Sequence, residues 1–187
     1  MILEKTTTDE IPDQLKTIIE LFYDKYGLFI TQHVINPESK EYEACSFLLN
    51  EKKVIYRQAK ITPTKSGQFV TVWRRNAVGI TAPFDSKDVL DFIIITVKTA
   101  TQLGQFIFPK AVLATKGILT HNGKEGKRGI RVYAPWDSVS SKLALQTQAW
   151  QTDYFLKLDD RNSFDIVKAK ALLELKKSLK RLYYSKT

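Results

Sequence analysis

The sequence predicts a single α/β domain of the α+β kind, in which a mixed β-sheet is flanked by N-terminal and C-terminal helices. Two observations predict this fold class. Six apolar runs of strand length follow one another through the middle of the chain, whereas helical periodicity occurs at its two ends. The 187 residues, 43% hydrophobic and 26% charged, are enough to bury one core. We therefore expect residues 1–187 to form one domain.

The first helix is predicted over about residues 9–27. Pro12 suits the first turn of a helix, and Gly27 is placed to end it. The apolar side chains between them recur at helical spacing, at Leu15, Ile18, Ile19, Phe22 and Tyr26. This stripe is expected to face the core.

The mixed sheet is predicted over about residues 44–134. Its strands are apolar runs bounded by turn-forming residues, at positions 44–49, 54–61, 68–74, 91–97, 105–108 and 129–134. Residues 50–53 form a short hairpin connection between the first two strands. Pro63 ends the second strand because proline cannot donate a hydrogen bond to a neighbouring strand.

Two C-terminal helices are predicted, over about residues 138–157 and 163–184. In the first, Leu143, Trp150 and Tyr154 recur on one side. The second is amphipathic, and its lysines and arginines gather towards the C-terminal end, where positive charge interacts favourably with the helix dipole. We expect its apolar side to cover the sheet rather than a membrane.

The composition also indicates the cellular compartment in which the protein resides. Apolar runs such as that at residues 92–95 are far too short to span a membrane, and the polar first 13 residues carry no secretory signal. Cys45 is the single cysteine and has no partner for an internal disulfide. The sequence therefore predicts a cytoplasmic protein with no membrane partner.

Positive charge is concentrated in the middle of the chain. Residues 1–51 carry a net charge of −6, residues 52–136 carry 15 basic and 4 acidic side chains for a net +11, and residues 137–187 carry +4, which together give +9. Segregation on this scale draws phosphate-rich partners if the cations meet in space. The alternative is that folding scatters them over several surfaces.

Two segments combine cations with groups suited to nucleic acid. Val72-Trp73-Arg74-Arg75-Asn76 places an indole beside two guanidinium groups, and the indole can stack on a base or pack inside the protein. The glycine-rich residues 123–131, with Lys127, Arg128 and Arg131, can cradle a phosphate or form a flexible hairpin tip.

One strand carries a candidate catalytic pair, Gln58-Ala59-Lys60. Residues two apart on a strand share a face, so an oxygen ligand for Mg²⁺ and an ammonium group could reach one phosphodiester. Glu41 and Glu43 lie within reach through the hairpin. This arrangement resembles the restriction-endonuclease-like fold, although glutamine replaces the usual acid. The alternative is a sheet edge whose lysine contacts phosphate or solvent.

No metal site is expected outside such a nuclease centre. His33 and His121 are far apart in the sequence, and no cysteine or carboxylate stands at metal-ligand spacing from them. Mg²⁺ enters only as the cofactor of the nuclease hypothesis. His121 lies in a turn-forming loop and is expected at the surface.

Several blocks together resemble the MepB family. They are Lys60 to Val70 (KITPTKSGQFV), Trp73 to Asn76 (WRRN), Gly104 to Lys110 (GQFIFPK), Gly126 to Tyr133 (GKRGIRVY), Pro135-Trp136 and Thr147 to Gln151 (TQAWQ). The resemblance covers about residues 38–156. It implies a bacterial cytoplasmic protein and supplies no established reaction. Glu41 fits the family pattern, whereas Glu43 departs from it, which favours Glu41 as the metal ligand of any nuclease centre.

We therefore predict a nucleic-acid-binding protein that uses a basic groove without strong sequence specificity for DNA or RNA. The residues expected to contact phosphate are Lys60, Lys65, Arg74, Arg75, Lys110, Lys127, Arg128 and Arg131, and Gln68 and Gln105 are expected to hydrogen-bond sugar or base edges. The alternatives are a Mg²⁺-dependent nuclease centred on Glu41, Gln58 and Lys60, or a regulatory module that binds an acidic protein. The sequence leaves the oligomeric state open.

Overall fold

The computed structural model describes residues 11–158 and 165–173, with a six-stranded sheet at the centre of that part of the chain. In chain order the strands are β1 (Ile30–Ile35), β2 (Cys45–Leu49), β3 (Lys52–Gln58), β4 (Lys60–Thr62), β5 (Lys65–Thr71), β6 (Trp73–Arg75), β7 (Thr81–Pro83), β8 (Phe92–Lys98), β9 (Leu103–Pro109), β10 (Gly129–Val132) and β11 (Phe155–Lys157). The helices are α1 (Asp13–Ile18), α2 (Lys110–Thr115), α3 (Lys142–Thr152) and α4 (Ile166–Leu172).

The central sheet is mixed and has the strand order β1-β2-β3-β8-β9-β11. β3 and β8 are parallel, and the other neighbouring strands of the sheet are antiparallel. The connection from β3 to β8 carries β4 and β5, which join β10 in a three-stranded sheet, and β6 and β7, which pair with each other. The predicted α+β domain with a mixed sheet is confirmed.

Two apolar cores lie on the two sides of the central sheet. On one side, α1 and α4 pack against β2, β3 and β8, and Leu15, Ile18 and Tyr56 are fully buried. On the other side, the three-stranded sheet and α2 cover β8 and β9, where Ile95 and Phe108 are fully buried. Because β8 is covered on both faces, it reads as a continuous hydrophobic run rather than an alternating one.

The strands are more numerous than the sequence predicts. The predicted strand 54–61 breaks at Ala59, whose N–H still bonds to β8, and Lys60 begins β4 in the other sheet. The predicted strand 68–74 is likewise divided between β5 and β6. β1 and β11 lie outside the predicted span of 44–134, because β1 is an exposed edge strand with little alternation and β11 has only three residues.

The first helix is less regular than the prediction for residues 9–27. α1 begins after Pro12 and continues as a π-helical turn (Ile19–Tyr23) and a 3-10 turn (Asp24–Tyr26). Gly27 ends this segment with a φ of 74°, a left-handed conformation that glycine adopts without strain.

The remaining helices differ from the prediction in length and number. α3 ends at Thr152 instead of residue 157, since the chain then joins the sheet edge as β11. α2 is only six residues long, too short for its periodicity to predict it. α4 lies within the predicted helix 163–184, of which residues 163, 164 and 174–184 fall outside the described part of the chain. Within residues 11–158 and 165–173, no helix has both the length and the apolar character that crossing a membrane requires.

Candidate nucleic-acid interface

The three-stranded sheet turns one side to the core and the other to the surface. On β5, Gln68 and Val70 point inward and are buried, so Phe69 and Thr71 point outward, because successive side chains of a strand alternate. The same alternation on β10 turns Arg131 outward. The outward side, here called the outer face, carries Lys60, Lys65, Phe69, Thr71 and Arg131. At its rim lie Trp73, Arg75 and Arg128, together with the exposed Lys127, which precedes Arg128 in the chain.

A row of three side chains crosses the outer face. In the register of the sheet, Lys60 lies opposite Phe69, and Phe69 lies opposite Arg131. Neighbouring strands are about 4.8 Å apart, so the backbone positions of the two cationic residues are separated by roughly 10 Å. The sheet therefore places an aromatic ring between two positive charges.

Glycines let aromatic rings lie close to this sheet. A Cβ atom built on Gly129 would lie 2.5 Å from Cζ of Phe69, and one built on Gly67 would lie 2.5 Å from the ring of Tyr133. Tyr42 holds the Phe69 ring from the side, with the ring centroids 6.2 Å apart and the planes at 68°. Phe69 is thus held from behind and from one edge.

A groove of about 400 Å³ opens beside Phe69. Its lining consists of Phe69, Thr71, Trp73, Thr81, Arg128 and Gly129. Trp136 and Trp150 pack against the buried core, whereas neither Phe69 nor Trp73 belongs to either core of the described residues. Trp73 is partly buried and lines the groove, with the Arg75 guanidinium carbon 5.8 Å from the ring centroid, and its stacking on a base stays a prediction.

Arg131 is the most firmly held cation of the outer face. Its Nη1 donates to the carbonyl oxygens of Ser66 and Gly67 at 3.2 and 3.3 Å, and its Nη2 donates to Oγ1 of Thr62 at 2.7 Å. These acceptors fix the guanidinium over the β4–β5 hairpin but carry no negative charge. Arg131 therefore has no carboxylate partner among the described residues.

Two rim arginines form exposed ion pairs. Nε of Arg75 lies 2.7 Å from Oε1 of Glu38, and Nη1 of Arg128 lies 2.8 Å from Oε1 of Glu125. About half of each arginine side chain remains exposed. Exposed pairs of this kind are worth at most about 1 kcal/mol, so a phosphate can compete for the guanidinium.

The lysines of the outer face are exposed. Nζ of Lys60 lies 5.2 Å from the ring centroid of Tyr42, where the ring face attracts the ammonium group. Lys65 begins β5, and Lys127 precedes β10, both with exposed side chains. None of the three lysines forms an ion pair with a described carboxylate.

Arg74 and Lys110 are not part of the outer face. Arg74 points away from Trp73 and Arg75 and binds Asp88 with two hydrogen bonds of 2.5 and 2.8 Å. Nζ of Lys110 donates to the backbone oxygen of the same Asp88 at 2.6 Å. The prediction that Arg74 and Lys110 contact phosphate is therefore corrected, because both cations bind Asp88 and hold the loop before β8.

Gln68 and Gln105 are structural residues of the interior. Gln68 is 2% exposed and donates to the backbone oxygen of Lys98 at 3.0 Å. Gln105 is 0% exposed, accepts a hydrogen bond of 2.7 Å from the Tyr23 hydroxyl and donates to Oγ1 of Thr96 at 3.1 Å. The prediction that they contact sugar or base edges is wrong, since neither amide reaches the surface.

The candidate nuclease residues diverge in the structure. Cys45 lies opposite Tyr56 in the β2–β3 register, which places Glu43 opposite Gln58. With its amide nitrogen facing the carboxylate, Gln58 donates to both oxygens of Glu43 at 3.1 and 2.9 Å. Burial raises the pKa of the Glu43 carboxyl, the nearby Lys98 ammonium lowers it in part, and the Asp13 carboxylate adds to the rise.

The predicted Glu41, Gln58 and Lys60 centre therefore does not form. Glu41 is exposed in the 3-10 turn Lys40–Tyr42, Gln58 bonds to Glu43, and Lys60 contacts Tyr42 instead. The Gln58 amide faces Glu43 rather than Glu41, and hydrogen bonding to the Glu43 carboxylate orients the amide nitrogen towards it. Among the described residues, no three His, Cys, Asp or Glu side chains lie together as a metal site.

Sequence reasoning missed the aromatic part of the outer face. Phe69 occupies a position of the β5 alternation at which a surface strand normally carries a polar residue. The signal was present in the alternation of residues 67–71, where Gly67, Phe69 and Thr71 share one side. Tyr42 gave no such signal, since it reaches Phe69 from a separate turn.

Comparison with known proteins identifies the family. The family model described as MepB-like matches residues 36–157. A crystal structure of MepB is similar to this chain, with 32% sequence identity, a TM-score of 0.70, and coverage of 79% of this chain and 98% of that chain. A bacterial homing endonuclease structure is more distant, at 14% identity and a TM-score of 0.42, covering 77% of this chain and 90% of its own.

A TM-score this low leaves the expected restriction-endonuclease-like core as a prediction. No curated protein matches the sequence. The family match spans well over half of the 187 residues, and the MepB structure is covered almost entirely. The chain belongs to the MepB-like family.

Proposed function

We propose that this protein binds nucleic acid on the outer face, without strong sequence preference. The observation that carries the proposal is the row formed by Lys60, Phe69 and Arg131, which lies beside a groove lined by Trp73 and Arg128. Cations alternating with aromatic rings suit a chain of phosphates that carries flat bases.

The charges of the outer face favour a polyanion. Six of the eight predicted phosphate-contacting cations lie on it, namely Lys60, Lys65, Arg75, Lys127, Arg128 and Arg131. Two of the six are paired with the carboxylates of Glu38, which is partly buried, and Glu125, which is exposed. The face retains net positive charge, which speeds the encounter with an anionic partner.

The chemistry of the outer face also explains the expected lack of sequence preference. Bases are read mainly by side chains that donate to and accept from their edges, and amide side chains are suited to this because they do both. The two glutamines that the sequence offered, Gln68 and Gln105, are buried. The lysines and aromatic rings of the outer face contact the phosphates and ring surfaces of any base, whereas base-edge reading there would fall to its arginines and Thr71.

A titration at two salt concentrations tests the proposal. Fluorescein-labelled 20-nucleotide DNA and RNA strands are titrated with protein in 50 and 200 mM NaCl, and anisotropy is read. We expect affinity to fall by about 50- to 300-fold, because 4 to 6 phosphate contacts give a logarithmic slope near 0.7 per contact on single strands. Affinity that stays flat over this range contradicts the proposal.

The two alternative functions have their own readouts. In Mg²⁺ or Mn²⁺, plasmid and single strands are expected to remain intact, because Gln58 and Lys60 contact different partners. Cleavage that is lost in Lys60→Ala would restore the nuclease hypothesis. For a regulatory module, an acidic protein would stay bound in the presence of excess DNA, and such persistence would count against the nucleic-acid site.

A further inference from the structure

We infer that the groove beside Phe69 takes one unpaired nucleobase, so that the protein binds single strands in preference to duplexes. This inference rests on the proposed function and adds the form of nucleic acid to it. It depends on three features of the groove: its aromatic walls, their fixed positions and the cations around them.

The aromatic walls of the groove do not belong to the buried cores that the described residues form. Phe69 and Trp73 line the groove and stand outside both apolar cores of the described residues. Both rings are partly buried, and the ring surface that still faces the groove is stabilised when a flat apolar group covers it. A planar base provides the matching surface, since every base has a π-face that stacks on an aromatic ring.

The Phe69 ring is set in place before any ligand binds. Gly129 lies directly beneath its tip, and the Tyr42 ring meets it edge-on at 6.2 Å. An immobilised ring loses little conformational freedom when a base stacks on it, so more of the contact energy appears as affinity.

The cations around the groove match the phosphates of the same ligand. Arg128 forms part of the lining, and Lys60 and Arg131 flank Phe69 on the neighbouring strands. A nucleotide joins a flat apolar ring to an anion within one residue. An acidic peptide supplies the anion but places no ring beside it at a fixed spacing, so a nucleotide fits this surface better.

Base pairing would block this contact. Inside a duplex the ring faces of a base are covered by its neighbours, and only its edges are exposed in the grooves. Stacking on Phe69 requires a base that has left the stack, as in a single strand, a loop or a strand end. The groove therefore selects single-stranded nucleic acid through its shape rather than its charge.

The test compares strands that differ only in their bases. Wild-type protein is titrated with labelled 20-nucleotide oligo(dT) and with an abasic strand of the same length and charge. A stacked base contributes about 5- to 150-fold in affinity, so we expect the abasic strand to bind more weakly by a factor in that range. A duplex is also expected to bind more weakly than oligo(dT).

Phe69→Leu locates the effect. Leucine stays apolar but cannot stack, so this variant should lose most of the difference between oligo(dT) and the abasic strand while its affinity for the abasic strand stays unchanged. Phe29→Leu is the matched control, because Phe29 is 61% exposed and precedes β1, away from the three-stranded sheet. Circular dichroism checks that both variants fold. If Phe69→Leu does not fold, the comparison of oligo(dT) with the abasic strand on wild-type protein still tests the base site.

The possible results distinguish failure of the base site from failure of nucleic-acid binding as a whole. Equal binding of oligo(dT) and the abasic strand, with steep salt dependence, overturns the base site and leaves nucleic-acid binding in place. Tighter binding of the duplex overturns the base site as well. Binding that is absent, or an acidic protein that excess DNA cannot displace, overturns both.

Discussion

Replacing Lys60 by glutamine should make nucleic-acid binding measurably less sensitive to salt. Glutamine retains much of the lysine side-chain length but removes the positive charge that lies next to Phe69 in the cross-strand row. A protein that contacts phosphates releases counterions from the nucleic acid, and each contact contributes about 0.7 to the logarithmic salt slope on single strands. The slope should therefore become shallower by about 0.7.

The magnitude follows from the cations of the outer face. Four of them have no carboxylate partner among the described residues, and two more are paired with Glu38 or Glu125. Four to six contacts predict a wild-type slope of about −2.8 to −4.2 on a single strand. Lys60→Gln should reduce it to about −2.1 to −3.5, a change that a titration series resolves.

The assay is anisotropy of a labelled strand at five NaCl concentrations between 50 and 200 mM. Lys53→Gln is the matched control, because Lys53 is exposed at the opposite end of β3 from Gln58, about 17 Å away at 3.3 Å per residue, and Lys60 follows only after β3 has ended. The control should keep the wild-type slope. If Lys53→Gln changes the slope as much as Lys60→Gln does, binding depends on total charge, and the assignment of the outer face is refuted.

Three further predictions concern the interior. Tyr23→Phe leaves the buried Gln105 oxygen without its hydrogen-bond donor, so the free energy of unfolding measured in urea should fall by about 1 to 3 kcal/mol. Affinity for nucleic acid should not change, and a loss of affinity would contradict the internal role of Gln105. Because burial raises the Glu43 pKa, wild type should gain stability over Glu43→Gln as the pH falls from 7 towards 4.5; a pH-independent difference would refute this. Burial raises the Cys45 pKa to about 12, so a thiol reagent should modify it only in denaturant, and rapid native labelling would contradict its burial.

The sheet was predictable where local pattern decides the structure. The continuous apolar run of β8 and the glycine that ends the first helix report directly on burial and on backbone conformation. The break at Ala59 is set instead by the partner strands, because β3 continues along β8 while Lys60 turns to β5. Tertiary pairing of this kind leaves no local pattern in the sequence.

The candidate site, like the sheet, could be predicted only where local sequence determines it. Clustered lysines and arginines were visible in the sequence, and Lys60, Arg128 and Arg131 among them lie on or beside the outer face. The sequence does not show which cations bind acceptors of the same protein, as Arg74 binds Asp88. It also does not show which are buried, as Arg57 is at 2% exposure. Burial lowers the pKa of Arg57 to about 10, and its Nη1 donates to the backbone oxygen of Tyr56.

The two carboxylates before β2 illustrate how register corrects a guess made from motifs. The resemblance to the MepB family leads us to expect Glu41, yet Glu43 is the residue that meets Gln58, because the β2–β3 pairing places it there. Glu43 has a positive φ of 49° and a half-buried side chain, so it is held in a left-handed turn at this contact. A sequence without its register cannot distinguish two acids separated by one residue.

Photo-cross-linking of a single strand that carries 5-iodouridine tests the assignment of the outer face most directly. After irradiation and proteolysis, mass spectrometry identifies the residues joined to the base. The aromatic groove predicts cross-links at Phe69 or Trp73 that excess unlabelled strand removes. Cross-links confined to α1 or α4, on the opposite side of the central sheet, would contradict it.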